Sequence, residues 1–265
     1  CSGCGYAANA EKAEFRKPEP VPAEQAPMEE IETPGQKTIA DLARFLGIEE
    51  RQTAKAVFYR ADDKPVFVAI RGDLEVNEVK LKNALKAIVV EPMDDEAVAK
   101  AGLVPGSAGP VGLKDILIVA DPSVVEAKNL VAGANVPDRH IRNVNYERDW
   151  RADIVAEIAL ARSGDICARC GGTLEAKRGM EMAHVFKLGT IYSESIGVYY
   201  LDEQGERKPA VMGCYGVGLD RMLAACIEAN HDENGIVWPV EVAPYDVHVV
   251  ALNLEQEAVA QALEK

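Results

Sequence analysis

The sequence predicts a multidomain protein that combines α/β and α+β architecture. Between residues 37 and 150, short apolar strands alternate with helices, which is typical of a mixed α/β domain. Residues 18–36 hold five prolines among glutamates and alanines, a composition typical of an extended linker. After residue 150, strands joined by turns favour an antiparallel sheet. We therefore expect segments at residues 1–17, 18–36, 37–150, 151–241 and 242–265.

Composition is that of an ordinary globular protein of 265 residues, with 48% hydrophobic and 27% charged residues. No apolar run reaches the length of a membrane span and none resembles a signal peptide, so we expect a cytoplasmic protein without membrane contact. The net charge of −14 argues against indiscriminate phosphate binding, and nucleic-acid contact would need a local basic patch. The chain opens on Cys1 without an initiator methionine, which indicates a fragment of something longer.

The elements of residues 37–150 follow from caps, periodicity and turns. Thr38 can cap a helix whose apolar positions recur at helical spacing until Gly47 stops it. The stretch AVFYRADDKPVFVAIRG predicts two apolar strands that turn at Asp62-Asp63. The remaining predicted elements are a helix from about Asn77 to Ala87, strand AIVVEP, a short helix ending at Gly102, loop PGSAGPVG, strand DILIVAD, a helix and strand RHIRNVN.

The region after Trp150 changes in character. Its predicted elements are a helix near Asp153–Arg162, strand HVFKLG, a strand pair turning at Glu203–Gly205, a helix from Leu219, strand DVHVVALNL and a helix over Glu255–Glu264. The strand that enters the glycine-rich turn is the second strand of that pair, so it is expected to be antiparallel to the first.

That turn, MGCYGVGLDR, holds Gly213, Gly216 and Gly218 with Arg221 one helical turn later. A dinucleotide fingerprint is excluded, because it needs a parallel βαβ unit, and a P-loop is excluded because no Gly-Lys-Ser/Thr follows. A cation in the first turn of a helix is disfavoured by the helix dipole unless an anion shares the site. The plain alternative is that Asp220 and solvent satisfy the arginine while the glycines only permit close packing.

Several segments resemble a known family in the family's own order. GCYGVGLDRMLAACIEANHDENGIVWP resembles motif 3 of class II aminoacyl-tRNA synthetases, and closely that of bacterial prolyl-tRNA synthetases. HVFKLGTIYSES resembles the segment lining their proline and ATP pocket. The segment TIADLARFLG through NVNYERD resembles their inserted editing domain, and CSGCGYAA resembles the stretch before it. The resemblance implies an editing domain of mixed α/β fold, a partial antiparallel-sheet synthetase core and the start of an α/β anticodon-binding domain.

The resemblance also implies a nucleotide site. Arg221 matches the motif 3 arginine that contacts ATP phosphate, and an arginine fork can neutralise phosphate charge during acyl-adenylate formation. His184 in an apolar strand would otherwise be a satisfied core histidine. The family's motifs 1 and 2 are absent from this chain, so it should not activate proline as it stands. The implied substrate- and ATP-binding positions are His184, Lys187, Gly189, Thr190, Gly213, Cys214, Gly216 and Gly218.

An editing site is implied in the same way. Lys55 matches a lysine that grips the terminal phosphate of tRNA, Gly106 and Gly109 match a loop that positions the ester, and Asp121 and His140 match pocket residues. No serine or cysteine nucleophile with a paired base is visible in residues 38–146. Hydrolysis would therefore rest on positioned water, backbone donors and the terminal ribose hydroxyl. Singly, these positions are equally compatible with a solvated lysine, a turn and a helix entry.

The cysteines suggest a metal. Cys1 with Cys4, and Cys167 with Cys170, form two C-x-x-C-G pairs, each with the turn geometry of half a zinc site. An inserted domain leaves and re-enters its host at neighbouring points, so we expect the pairs to meet there and hold a structural Zn²⁺. Four reduced thiols, or one oxidised pair, are the alternatives.

The function implied by the resemblance is ATP-dependent charging of tRNA with proline, with hydrolysis of alanyl-tRNA(Pro) as a second activity. The full-length enzyme would use ATP and Mg²⁺, bind proline and tRNA(Pro), and form a homodimer. Two alternatives remain open. A stand-alone deacylase would need neither motif 3 nor the last segment, whereas a non-catalytic synthetase-like regulator would tolerate the missing motifs.

Overall fold

The computed structural model describes residues 1–253 and 255–263. The chain divides into two compact units, Cys1–Ala176 and Lys177–Lys265. No helix within the described part of the chain is long and apolar enough to cross a membrane.

The first unit contains ten strands and four helices among its described residues. The strands are β1 (Phe15–Arg16), β2 (Glu29–Glu32), β3 (Ala54–Ala61), β4 (Lys64–Arg71), β5 (Val90–Pro92), β6 (Leu117–Ala120), β7 (Leu130–Gly133), β8 (Arg139–Val144), β9 (Ile154–Val155) and β10 (Ile166–Cys167). The helices are α1 (Ile39–Leu46), α2 (Glu78–Leu85), α3 (Asp95–Lys100) and α4 (Pro122–Glu126), with a 3-10 turn at Glu50–Gln52.

These strands form three sheets. A five-stranded mixed sheet has the order β5-β3-β4-β6-β9, with parallel pairing of β4 with β6 and of β6 with β9. A three-stranded antiparallel sheet has the order β2-β8-β7, and β1 pairs with β10 in a two-stranded ribbon. The first unit is therefore a mixed α/β fold, as predicted.

Local signals account for the best-predicted elements. Thr38 accepts a hydrogen bond from the backbone N–H of Asp41 at the start of α1, and Gly47 closes the helix in the left-handed conformation. Asp62 and Asp63, both with positive φ, make the tight turn between β3 and β4. Each of these features is confirmed.

The five-stranded sheet is buried on both faces. Because side chains alternate across a strand, Phe67 and Ala69 of β4 join one apolar cluster while Val66 and Val68 join another. The first cluster includes Ala108, Leu130 and Ala132, and the second includes Leu81 and Ile158. Burial on both faces explains why β4 and β6 are continuous apolar runs.

Three predictions for this unit were wrong or incomplete. The segment 18–36 is not merely an extended linker, because its β2 pairs with β8. Strand β7 was not predicted, and the helix predicted near Asp153–Arg162 does not form. Instead Asp153 exchanges hydrogen bonds with Ile118, and β9 adds to the sheet edge, so pairing with β6 overrides the local helical pattern.

The second unit contains small antiparallel pairs. Its elements are β11 (Ala183–Gly189), α5 (Ile191–Ile196), β12 (Tyr199–Leu201), β13 (Arg207–Pro209), β14 (Met212–Val217), α6 (Leu219–Ala229), β15 (His231–Asp232), β16 (Gly235–Ile236), a 3-10 turn at Val240–Val242 and α7 (Glu257–Leu263). The pairs are β11 with β14, β12 with β13 and β15 with β16. The strand entering the glycine turn, β14, is antiparallel to its neighbour, as predicted. The predicted neighbour was wrong, because β14 pairs with β11 while the first hairpin strand, β12, pairs with β13.

The predicted strand DVHVVALNL does not form over residues 246–253, and Leu254 lies outside the described residues. A strand needs a neighbour to satisfy its backbone, and no ladder among the described residues includes this segment. The predicted final helix is present as α7, whereas Glu264 lies outside the described residues.

Candidate functional site

The loop Gly106–Pro110 packs directly on the end of β7. A Cβ added to Gly109 would lie 2.0 Å from the carbonyl oxygen of Gly133, and one added to Gly133 would lie 2.3 Å from that of Ala108. Gly106 has a φ of +77°, which favours glycine. Only glycines therefore permit this crossing of two backbones.

Asn135, just beyond the end of β7, holds the loop by three hydrogen bonds. Its Oδ1 accepts from the backbone N–H of Gly109 at 2.9 Å, and its Nδ2 donates to the carbonyl of Val111 at 2.9 Å. Its own N–H donates to the carbonyl of Ser107 at 2.9 Å. These three bonds hold the loop in one conformation, so its backbone groups have fixed directions.

His140 lies beside this crossing, since it pairs with Gly133 in the ladder between β7 and β8. Its Nδ1 is 2.6 Å from the Oγ1 of Thr33, and both residues are buried. Burial lowers the pKa of His140 below its ordinary value of 6.5, because the charged imidazolium loses its water. The imidazole is therefore neutral at neutral pH.

Two of the predicted editing residues, Gly109 and His140, thus meet at Gly133, and Gly106 belongs to the same loop. Sequence reasoning missed Gly133, Asn135 and Thr33. A glycine at the end of an apolar strand signals close backbone approach, so Gly133 could have been found. Thr33 lies in the proline-rich segment, where nothing local indicates its histidine partner.

Lys55 is placed elsewhere. Its Nζ contacts the carboxylate of Glu75 at 2.8 Å. Along β3, Ala54 and Ala56 face the cluster that contains Ala108, so alternation turns Lys55 to the opposite face of the sheet. The structure does not bring this lysine onto the face that carries the glycine loop.

Asp121 has an evident structural role. It is fully buried, caps α4 by accepting from the N–H of Ser123, and accepts from the N–H of Ile158. Lys17 completes the set with an ion pair at 2.6 Å, and it also reaches Glu157. The two carboxylate oxygens are thus engaged by protein groups.

In the second unit, a cleft of about 480 Å³ lies at the start of α6. Its lining includes His184, Gly216, Gly218 and Arg221. Nη1 of Arg221 donates to the carbonyl of Glu181 at 2.8 Å, and Nδ1 of His184 lies 3.1 Å from the carboxylate of the same residue. Four predicted nucleotide-site residues are therefore brought together, and the arginine among them is exposed.

The other predicted residues of that site lie further along the same strands. Phe186 faces Cys214 and Lys187 faces Gly213 across the ladder. Alternation puts Lys187 on the face opposite His184. The remaining two positions, Gly189 with positive φ and Thr190 preceding α5, lie at the end of the strand and outside the lining of the cleft.

The two cysteine pairs meet in the first unit. The sulfurs of Cys1, Cys4, Cys167 and Cys170 all lie within 4.8 Å of one another. A hydrogen bond from the backbone N–H of Cys170 is the main cause that lowers the pKa of the Cys167 thiol to about 7. The predicted meeting of the pairs is confirmed, and the metal itself stays a prediction.

Comparison with known proteins agrees with this organisation. The family model of the aminoacyl-tRNA editing domain matches residues 33–149. A proline–tRNA ligase of Dehalococcoides mccartyi is 53% identical over 265 residues, which are 100% of this chain and 47% of that protein. A proline–tRNA ligase of Thermoanaerobacter sp. strain X514 is 47% identical over 262 residues, which are 97% of this chain and 46% of that protein.

One solved structure, a candidate trans-editing enzyme for prolyl tRNA synthetase, has a TM-score of 0.43 and 16% identity, covering 51% of this chain and 87% of its own. The chain spans about half the length of the curated relatives it matches. Over its whole length the chain is thus similar to proline–tRNA ligases, and its residues 33–149 match the aminoacyl-tRNA editing domain.

Proposed function

We propose that residues 33–149 hydrolyse alanyl-tRNA(Pro), the error that a proline pocket makes because it cannot exclude a smaller side chain by more than a few kcal/mol. The observation that carries this proposal is the Gly109–Gly133 crossing beside His140. It supports a site in which a rigid loop presents backbone groups to the ester next to a neutral imidazole.

The chemistry of the step follows from these groups. Water adds to the alanyl carbonyl carbon, the bond to the terminal ribose oxygen breaks, and the proton passes to that oxygen. The N–H groups of Ser107 and Gly109 already donate to Val104 and Asn135, so the N–H groups of Gly106 and Ala108 are the loop donors proposed to stabilise the carbonyl oxygen as it gains charge. When Thr33 donates to Nδ1 of His140, Nε2 carries the ring proton and is available as a donor to the substrate.

Two further residues, Lys55 and Asp121, have proposed roles in binding the tRNA and shaping the site. Lys55 contacts the terminal phosphate, and Asp121 shapes the site indirectly through the N-terminus of α4. Neither lies in the glycine crossing, so the proposed roles of both lie outside it. The proposed editing domain runs over residues 37–150, within the 1–176 unit.

The test is hydrolysis of alanyl-tRNA(Pro) by Gly109→Ala. The added methyl would overlap the Gly133 carbonyl, so the loop must move and the rate should fall at least tenfold. The matched control is Gly179→Ala, because a Cβ there meets nothing within 4 Å. A Gly109→Ala protein that is folded and fully active would overturn the proposed site.

For the whole protein we propose ligation of proline to tRNA(Pro), with ATP and Mg²⁺, by a homodimer in the cytoplasm. Arg221 is the proposed phosphate contact, with His184, Gly216 and Gly218 around the nucleotide. Gly213, Cys214, Lys187, Gly189 and Thr190 are the proposed further pocket residues. We propose that this chain alone lacks proline-dependent pyrophosphate exchange, and measurable exchange would contradict that.

A further inference from the structure

The two C-x-x-C-G turns have the same backbone geometry. In the first, the N–H of Gly5 donates to the carbonyl of Cys1 at 3.0 Å, and in the second the N–H of Gly171 donates to that of Cys167 at 3.0 Å. Gly5 and Gly171 both have positive φ, at +70° and +77°. Each pair is therefore folded as a separate knuckle whose two thiols point the same way.

The sulfur positions fit a single ion between the knuckles. The contacts cross from one knuckle to the other, at 3.5 Å for Cys1 with Cys170 and 3.8 Å for Cys4 with Cys167. A tetrahedron with zinc–sulfur bonds of about 2.3 Å has sulfurs about 3.8 Å apart, whereas a disulfide needs about 2.0 Å. Four thiolates without oxygen ligands favour Zn²⁺ over hard cations.

Neighbouring glycines leave room at the sulfurs. A Cβ on Gly3 would lie 3.4 Å from the sulfur of Cys170, and one on Gly172 would lie 3.3 Å from the sulfurs of Cys1 and Cys170. The N–H of Gly172 also donates to the sulfur of Cys170 at 3.4 Å. Such a donor stabilises a metal-bound thiolate from outside the coordination shell.

We propose that these four cysteines bind one Zn²⁺, and that its role is to lock the ribbon at the base of the editing domain. Strand β1 precedes the domain and β10 follows it, and they pair only through Phe15 with Cys167 and Arg16 with Ile166. A ribbon of two residues per strand is too short to be stable alone.

Other contacts also hold the base, where Phe15 packs on the apolar cluster around Ile70. The guanidinium of Arg169 lies 4.5 Å from the ring centre of Tyr6, which ties the second knuckle to the segment that follows the first. The metal would add four bonds between segments separated by more than 160 residues, since Cys4 and Cys167 lie 163 positions apart. The ribbon then holds the entry and exit of the domain at one fixed point.

Elemental analysis of the purified chain tests the binding. We expect one zinc per chain, retained in Cys214→Ser and Cys226→Ser and lost in Cys170→Ser, whose residue is exposed. Where Cys170→Ser fails to fold, the native chain loaded with Co²⁺ gives the second readout, the charge-transfer and visible bands of a tetrahedral tetrathiolate complex. Iron in place of zinc, or a metal-free chain that gives no such bands with Co²⁺, would overturn the proposal.

Hydrogen exchange tests the clamping role. Removal of zinc from the native chain by a thiol-binding mercurial should speed amide exchange in Phe15–Arg16 and Ile166–Cys167 by at least tenfold. Exchange in β6 should be unchanged, because its buried side chains lie in the two apolar clusters that do not include the ribbon. If the amides of the ribbon exchange at the same rate with and without zinc, the role of the metal as a clamp is overturned, even where elemental analysis finds the metal bound.

Discussion

Gly109 and Gly133 approach so closely that neither position has space for a methyl group: a Cβ on the first would lie 2.0 Å from the carbonyl oxygen of the second. The contact joins a loop that follows α3 to the end of β7, two segments that nothing in the local sequence pairs. It places His140, the ladder partner of Gly133, beside the loop. The candidate editing site therefore depends on a backbone crossing more than on any one reactive side chain.

Gly133→Ala should separate the loop from β7. We expect a loss of about 2 to 3 kcal/mol in the free energy of unfolding, the usual scale for overpacking, and a fall in alanyl-tRNA(Pro) hydrolysis beyond that in the folded fraction. Denaturant unfolding followed by amide exchange in β4 measures the first. Wild-type stability in Gly133→Ala would show that the crossing is looser than described.

His140 should make the stability of the editing domain sensitive to acid. The pKa of His140 in the folded protein lies below 6.5. As the pH falls through about 6.5, the histidine is therefore protonated in the unfolded chain before it is protonated in the folded chain. Stability is thus lost on acidification, by up to about 1.4 kcal/mol per pH unit. We expect His140→Gln to flatten this dependence between about pH 7 and 5.5.

The exposed His231 supplies the control for that experiment. His231→Gln in the second unit should leave the acid dependence of the β4 amides unchanged. An unaltered pH profile in His140→Gln would mean that the histidine already titrates normally in the folded protein.

Lys17 and Asp121 should be coupled. Asp121→Ala removes a buried carboxylate that caps α4 and pairs with the lysine, and we expect it to cost about 3 kcal/mol of unfolding free energy. Lys17→Met should cost less, because its partner keeps two backbone donors. In a double-mutant cycle the coupling should reach at least about 1 kcal/mol. Strict additivity would contradict the ion pair.

Lys55→Ala should weaken tRNA binding with little effect on stability. Its ion pair with the half-exposed Glu75 is worth at most about 1 kcal/mol. Loss of one phosphate contact should reduce the slope of log affinity against log salt by about 0.7 to 0.9. Lys64→Ala is the control on the solvated turn. Lys37 packs on Gly106 of the glycine loop. If Lys37→Ala reduces the salt slope of tRNA binding and Lys55→Ala does not, the phosphate contact belongs to Lys37 and not to Lys55.

The sequence predicts best those features of the fold that residues adjacent in the chain determine. The cap at Thr38, the stop at Gly47 and the turn at Asp62-Asp63 are each specified within a few positions. The pairing of β2 with β8, and the extended chain where a helix was expected near residue 154, depend on partners far along the chain. No local pattern reports such partners.

The same distinction holds at the sites. The two cysteine knuckles were predicted to meet because an insertion must return to its starting point, and they do. The glycine loop was identified by resemblance, but its contact with Gly133 and the hydrogen bond between Thr33 and His140 come only from the fold. Asp121 matches a pocket position in sequence, yet its buried cap and ion pair are visible only in three dimensions.

The most direct test of the central claim is the fate of alanyl-tRNA(Pro) and prolyl-tRNA(Pro) incubated separately with the purified chain and no other protein. We expect alanine to be released well above the rate of spontaneous hydrolysis while prolyl-tRNA(Pro) stays intact, with the release abolished in Gly109→Ala and kept in Gly179→Ala. If alanyl-tRNA(Pro) survives as long with the folded chain as without it, residues 33–149 are not the proposed hydrolase.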